Sequence, residues 1–107
     1  MTSSAVLERG LDAYAEQRWT EAFDALTEAD AKTRLGGDEL ARLATAAILL
    51  GRETGVDTAT RAHEAFLAAG DEAGAARTAV WIGMHLMDAG EPARSGGWFA
   101  RAGRIVE

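Results

Sequence analysis

The chain has 107 residues and a formal net charge of −6, from 17 acidic and 11 basic side chains. It contains no cysteine, which excludes disulfides, thiolate zinc sites and cysteine nucleophiles. The acidic excess disfavours direct binding of nucleic acid, because phosphates require a basic surface. The longest apolar run, 46–50, is far shorter than the roughly 20 residues of a membrane-spanning helix. The start of the chain lacks the basic and apolar segments of a signal peptide, so we expect a cytoplasmic location.

The composition is typical of helices. Alanine, the strongest helix former, occurs 24 times, and ten of the 11 basic residues are arginine, which also favours helices. Aromatic residues make up only 7% of the chain, and β-branched residues are sparse. We therefore expect a single all-α domain.

Glycines and candidate caps divide the chain into six predicted helices, at about 4–17, 20–31, 38–50, 57–69, 72–89 and 92–106. Gly51, Gly70 and Gly90 are expected to end helices, since glycine accepts the left-handed conformation that follows a helix. Candidate N-caps are Ser3 or Ser4, Thr20, Asp38, Asp57 or Thr58, and Asp71.

Helices joined by such short turns pair naturally into antiparallel hairpins, and an internal repeat supports this arrangement. Each predicted hairpin has a small residue on its first helix, then a small, a large apolar and a small residue. These sets are Gly10, Ala22, Leu26 and Ala29; Ala44, Ala62, Phe66 and Ala69; and Gly83, Ser95, Phe99 and Ala102. Small residues let helices approach closely. The predicted repeats span 3–36, 37–70 and 71–107, and another kind of helical bundle is the alternative.

Two stretches carry a family resemblance. GLDAYAEQRWTEAFDALTEA, from Gly10, and GMHLMDAGEPARSGGWFARA, from Gly83, resemble tetratricopeptide repeats (TPRs). This likeness implies three antiparallel helical hairpins stacked as a TPR-like α-solenoid. The chain from RLATAAILLGRE onward is similar to the helical N-terminal region of LuxR-type transcriptional regulators of high-GC Gram-positive bacteria. That similarity implies a regulatory or sensing module, and it does not extend to the family's DNA-binding helix-turn-helix part.

The TPR resemblance implies that the first helix of each repeat lines a concave face, which binds a protein or peptide partner. The residues placed there are Leu11, Tyr14, Thr45, Ile48, Leu49, Arg77, Val80, Trp81, Met84, Met87 and Asp88. We expect a non-catalytic interaction module, within a transcriptional regulator or as a small adaptor. One alternative is a small-molecule sensor with its pocket near Trp81 and Met84. Another is that these residues form the core of a compact bundle.

The last predicted helix has an apolar flank with no capping helix after it, so we expect either self-association, as a homodimer, through this end or a C-terminal continuation of the chain. The residues expected to contribute are Trp98, Ala102, Ile105 and Val106.

Other reactive side chains point to no chemistry. His85 and Asp88 have the i, i+3 spacing of a metal-binding pair, but a site needs three or four ligands. His63 and Glu64 are expected to form an exposed helical pair. No serine has the context of an activated nucleophile, and neither Gly-Gly pair belongs to a phosphate-binding loop. We therefore expect no catalytic residue, no metal and no cofactor.

Overall fold

The protein is all-helical over residues 3–106, the part that the computed structural model describes. The helices are α1 (Ser3–Ala15), α2 (Trp19–Lys32), α3 (Gly37–Leu49), α4 (Gly55–Ala68), α5 (Glu72–Asp88) and α6 (Pro92–Val106). Each observed end lies within two residues of its predicted position. The all-α prediction is confirmed.

Helices that follow one another in the chain also lie side by side. The most extensive packing joins α1 to α2, α3 to α4, and α5 to α6; α2 also packs against α3, and α4 against α5. The molecule measures 42 × 30 × 21 Å along its principal axes. Within residues 3–106, every helix is too short or too polar to cross a lipid bilayer.

Four helices end in the same backbone arrangement. Gly51, Gly70 and Gly90 follow α3, α4 and α5 with φ of 72°, 77° and 81°, as the sequence predicts. After α1 the equivalent position is Gln17, a non-glycine residue with φ of 60°. At each position the amide donates to the carbonyl three residues back, and the next amide donates to the carbonyl five residues back. This is the Schellman closure, which satisfies the last carbonyls of a helix.

The N-terminal caps were predicted less well than the helix ends. Asp71 caps α5 as expected, since its Oδ1 accepts the backbone N–H of Gly74 at 2.9 Å. Thr20 lies inside α2, whose N-cap is Arg18, so that prediction is wrong. Asp38 and Asp57 lie within the first turns of α3 and α4, where their charges suit the helix dipole. The side chains of Ser3 and Ser4 lie outside the described part of the structure.

Alanine dominates the core. Among the described residues, 13 of the 21 buried apolar residues are alanine. Larger side chains fill the spaces between helices at a few positions, which include Leu26, Leu40, Ile82 and Leu86. The helices can therefore pack closely, because few bulky side chains separate them.

The first and third helix pairs share a close contact between a glycine and a large apolar residue 16 positions later in the sequence. A Cβ on Gly10 would lie 2.8 Å from Leu26 Cγ, and one on Gly83 would lie 2.9 Å from Phe99 Cε1. In the third pair the Ser95 hydroxyl also donates to the Gly83 carbonyl, at 2.7 Å. Neither glycine has room for a side chain unless its neighbour moves.

The middle helix pair departs from this pattern. Phe66 packs against Gly37, where a Cβ would lie 2.7 Å from its Cδ1, and against Gly74. Ala44 packs instead in a cluster with Ala59, and Ala69 is exposed beyond the end of α4. The connection between α3 and α4 is longer than the other two within pairs, which accounts for the changed register.

Candidate functional site

Large apolar side chains are exposed on α3 and α5. Val80, Met84 and Met87 of α5 are 40%, 54% and 56% exposed, and Leu49 of α3 is 57% exposed. The three α5 residues are spaced at i, i+4 and i+7, so they share one face of the helix. We call these four residues the exposed apolar set. All four belong to the predicted concave face.

Two further predicted residues on α3 are half-buried. Ile48 packs against Gly55, where a Cβ would lie 2.5 Å from its Cγ1. The Thr45 hydroxyl donates to the Ala41 carbonyl at 2.9 Å. Ile48 therefore holds α3 against α4, and its side chain is only partly available to a partner.

Leu11 and Tyr14 of α1 line a shallow groove of about 360 Å³ together with Asp38 and Arg42 of α3. Tyr14 packs edge-to-face with Trp19, with 5.3 Å between ring centroids. The Arg42 guanidinium lies 5.9 Å from the centroid of the Tyr14 ring. The structure thus brings the predicted α1 residues next to α3.

The remaining predicted residues on α5 differ in exposure. Arg77 is exposed, and its guanidinium lies 5.8 Å from the centroid of the Phe66 ring. Trp81 is half-buried and packs against a buried cluster, and Asp88 is exposed at the end of the helix. The buried cluster consists of Ala44, Ala59, Ile82 and Leu86. Trp81 therefore serves the core with part of its ring and leaves the rest accessible.

The residues expected to mediate self-association are mostly engaged within the chain. Ala102 is buried, and Ile105 packs against the core cluster that contains Ala75. Trp98 is half-buried, whereas Val106 is 71% exposed. Of the four, Val106 alone offers most of its side chain to solvent.

His63 is fully buried, so the expectation of an exposed His63–Glu64 pair is wrong. Its Nδ1 lies 2.8 Å from the Ala75 carbonyl oxygen, and because that oxygen only accepts, Nδ1 carries the proton. Nε2 has no hydrogen-bond partner among the described residues. The ring also packs edge-to-face on Trp98, at 5.2 Å between centroids. His63 lies on the side of α4 that meets α5 and α6, which explains its burial.

The second histidine, His85, is half-buried and its predicted neighbour Asp88 is exposed. Within residues 3–106, no three histidine or acidic side chains are grouped so that they could hold a metal ion.

An ion pair that is not evident from the sequence joins α2 to α4. Arg61 donates two hydrogen bonds to Asp30, at 2.9 and 3.0 Å. Arg61 holds the pKa of the Asp30 carboxyl below its ordinary value, against the opposing effect of partial burial. The same hydrogen bonds raise the pKa of Arg61. Arg61 borders an open groove of about 790 Å³ that Leu35 and Leu40 also line.

A basic groove on α6 was also missed. It is lined by Arg94, Gly97, Trp98, Arg101 and Arg104, and has a volume of about 370 Å³. The Arg101 guanidinium lies 4.5 Å from the centroid of the Trp98 ring. The sequence does contain a signal for this groove: 92–106 holds three arginines and no acidic residue.

Comparison of the chain with protein-family models, with curated proteins and with solved structures gives no match.

Proposed function

We propose that the protein is a non-catalytic interaction module, built as three antiparallel helical hairpins in a TPR-like stack. Three observations support the stack. Consecutive helices pack most extensively in pairs, four helices end in the same closure, and the Gly10–Leu26 contact recurs as Gly83–Phe99. Each of these features is expected of a repeated helix-turn-helix unit.

The exposed apolar set carries the functional proposal. Leu49, Val80, Met84 and Met87 are each at least 40% exposed. In the proposed stack, α3 and α5 are first helices, so these side chains line the concave face. Methionine side chains are flexible and polarizable, which suits them to binding partners of varied shape. We propose that the partner is a protein or peptide with an apolar helical face.

The proposed biological setting rests on the resemblance of the sequence to LuxR-type regulators. We propose a cytoplasmic module that contributes regulation or sensing to a transcriptional regulator, or that acts as a small adaptor. In this role the module binds a protein partner and does not itself contact nucleic acid.

A displayed peptide library tests the surface directly. Peptides selected on the wild-type protein would be titrated by fluorescence anisotropy against Leu49→Asp/Met84→Asp. Because both side chains are more than half exposed, this variant should keep its helical circular dichroism. We expect its affinity to fall at least about tenfold, since two apolar contacts are replaced by charges.

The matched control is Leu67→Asp, which changes an exposed leucine on α4, outside the proposed concave face. It should bind the selected peptides as the wild type does. Equal affinities for all three proteins, or no selected peptide at all, would count against the proposed surface.

Trp81 gives the sensor alternative its own test, because this half-buried residue lies three positions before the exposed Met84. A small metabolite that shifts tryptophan emission saturably, in wild type and not in Trp81→Phe, would favour a sensor. A shift produced only by selected peptides would favour the interaction module.

A further inference from the structure

Helix α6 has a charge opposite to that of the whole chain. Between Pro92 and Val106 it carries three arginines and no acidic residue, whereas the full chain has a formal net charge of −6. Arg94, Arg101 and Arg104 all line the same groove. This concentration of positive charge on an acidic protein favours an acidic occupant.

The groove is also open to close approach. Trp98 forms part of its wall and is half-buried, so part of its apolar ring faces the groove. The Arg101 guanidinium lies over the same ring. A Cβ built on Gly97 would meet nothing within 4 Å. Arg104 forms no ion pair within residues 3–106, and Arg94 pairs with Glu91 only at the surface.

An acidic surface of matching spacing lies on α2 of the same chain. Glu21, Asp24 and Glu28 line a groove there, together with Arg9 and Ala25. Glu21 and Glu28 already form exposed ion pairs with Arg18, Arg9 and Lys32, which an incoming arginine has to share or displace. Glu21 and Glu28 are seven residues apart, as are Arg94 and Arg101, so both pairs span about 10.5 Å along a helix. If the two helices run parallel, with Glu21 opposite Arg94, Asp24 lies opposite Gly97. If they run antiparallel, with Glu21 opposite Arg101, Asp24 lies opposite Trp98.

We propose that the arginine groove of α6 binds the acidic face of α2 from a second copy of this chain. The interaction goes beyond the proposed partner-binding function and uses a different surface. Each copy carries both halves of the contact, so two copies can exchange it reciprocally across a two-fold axis, or further copies can continue it head to tail as rings or longer chains. Exposed ion pairs contribute little individually, so the association is weak and depends strongly on salt.

Sedimentation velocity tests the proposal on the full chain at about 100 µM, in about 20 mM and about 500 mM salt. The wild type should exceed its monomer mass of 11.3 kDa at low salt and return to it at high salt. Arg94→Glu/Arg101→Glu should remain monomeric in both. Circular dichroism checks that each variant is folded.

The matched control is Arg42→Glu/Arg52→Glu, which makes the same change in net charge. Both arginines are exposed and lie over aromatic rings, at 5.9 Å from Tyr14 and 5.1 Å from Phe23. This variant should associate as the wild type does. Equal loss of association in both variants would show a general charge effect and would overturn the proposal.

Complementation gives the sharper result. Glu21→Arg/Glu28→Arg should be monomeric on its own, because it lacks the acidic half of the contact. Its net charge is closer to zero, which by itself would favour non-specific association, so a monomeric variant would point to loss of the specific contact. Mixed with Arg94→Glu/Arg101→Glu, it should restore association at low salt. A monomeric wild type at low salt, a mixture that stays monomeric, or binding of an acidic peptide without self-association would each overturn the assignment to a second copy.

Discussion

Asp30 and Arg61 are joined by two hydrogen bonds across 31 residues of sequence, at 2.9 and 3.0 Å. The Asp30 side chain is only 17% exposed, and its Oδ1 also accepts the Leu35 backbone N–H at 3.3 Å. One carboxylate therefore fixes both α4 and the connection between α2 and α3. Such a two-pronged contact restricts geometry more than a single ion pair does.

Asp30→Asn should lower the free energy of unfolding by about 1 kcal/mol at pH 7, because it removes a charge-assisted, partly buried contact. Urea denaturation followed by circular dichroism measures this difference. Glu28→Gln is the matched control, since Glu28 pairs with Arg9 at a side-chain exposure of 48%. The control should cost less than about 0.5 kcal/mol, and an equal loss in both variants would contradict the role given to Asp30.

The same pair predicts a pH dependence. The pKa of Asp30 is lower in the folded protein than in the unfolded chain, so its stabilising contribution is complete above about pH 4. The contribution is lost as the pH falls through the lower folded-state value. The difference in unfolding free energy between wild type and Asp30→Asn should therefore shrink below about pH 4. A difference that stays constant from pH 7 to pH 2.5 would exclude this linkage.

Gly83→Ala tests the close helix contact. The new Cβ would lie 2.9 Å from Phe99 Cε1, so the ring or the helix must move. We expect a net loss of about 1–2 kcal/mol, after the gain in helix propensity is included. Gly96→Ala on α6 is the control, because its Cβ would meet nothing within 4 Å. It should stabilise the protein by up to about 1 kcal/mol in thermal or urea unfolding.

The turn after α1 offers a stabilising substitution. Gln17 adopts a φ of 60°, a conformation that costs a non-glycine residue free energy. Gln17→Gly should raise the free energy of unfolding by about 1 kcal/mol, and Gly90→Ala should lower it by a similar amount. Changes of the same sign in these two variants would be inconsistent with the shared closure.

Stability measurements also distinguish exposed residues of the predicted concave face from packed ones. Met84→Asp should change the free energy of unfolding by less than about 0.5 kcal/mol, because the side chain is 54% exposed. Ile48→Asp should cost about 2 kcal/mol or more, since Ile48 is half-buried against Gly55. Equal losses would mean that Met84 belongs to the core.

Helix positions were largely predictable from local signals. Gly51, Gly70 and Gly90 marked three helix ends, because a left-handed residue after a helix favours glycine. The end of α1 at Ala15 was placed two residues too late, because Gln17 occupies the left-handed position without a glycine to mark it. Contacts such as Gly83–Phe99 were anticipated as a spacing of small and large residues along the repeat.

Long-range pairings were not predictable in this way. The expectation of an exposed His63 is wrong because its burial depends on how α4 meets α5 and α6, which no local pattern indicates. The Asp30–Arg61 pair likewise requires two helices that are distant in sequence to meet at one point. The α6 groove combines arginines up to ten residues apart, whose common face becomes evident once the buried side of the helix is known.

The alanine-rich core has a thermodynamic consequence. Burying an alanine contributes little apolar area, but it also costs no side-chain rotamer entropy. With 13 alanines among 21 buried apolar residues, the described core loses little side-chain entropy on folding. Substitutions that enlarge these positions should then be more harmful than those that shrink them. Losing a methyl group here still costs helix propensity, because alanine becomes glycine. Such a core resists added methyl groups most strongly, because the distances between its helices are set by the smallest chiral side chain.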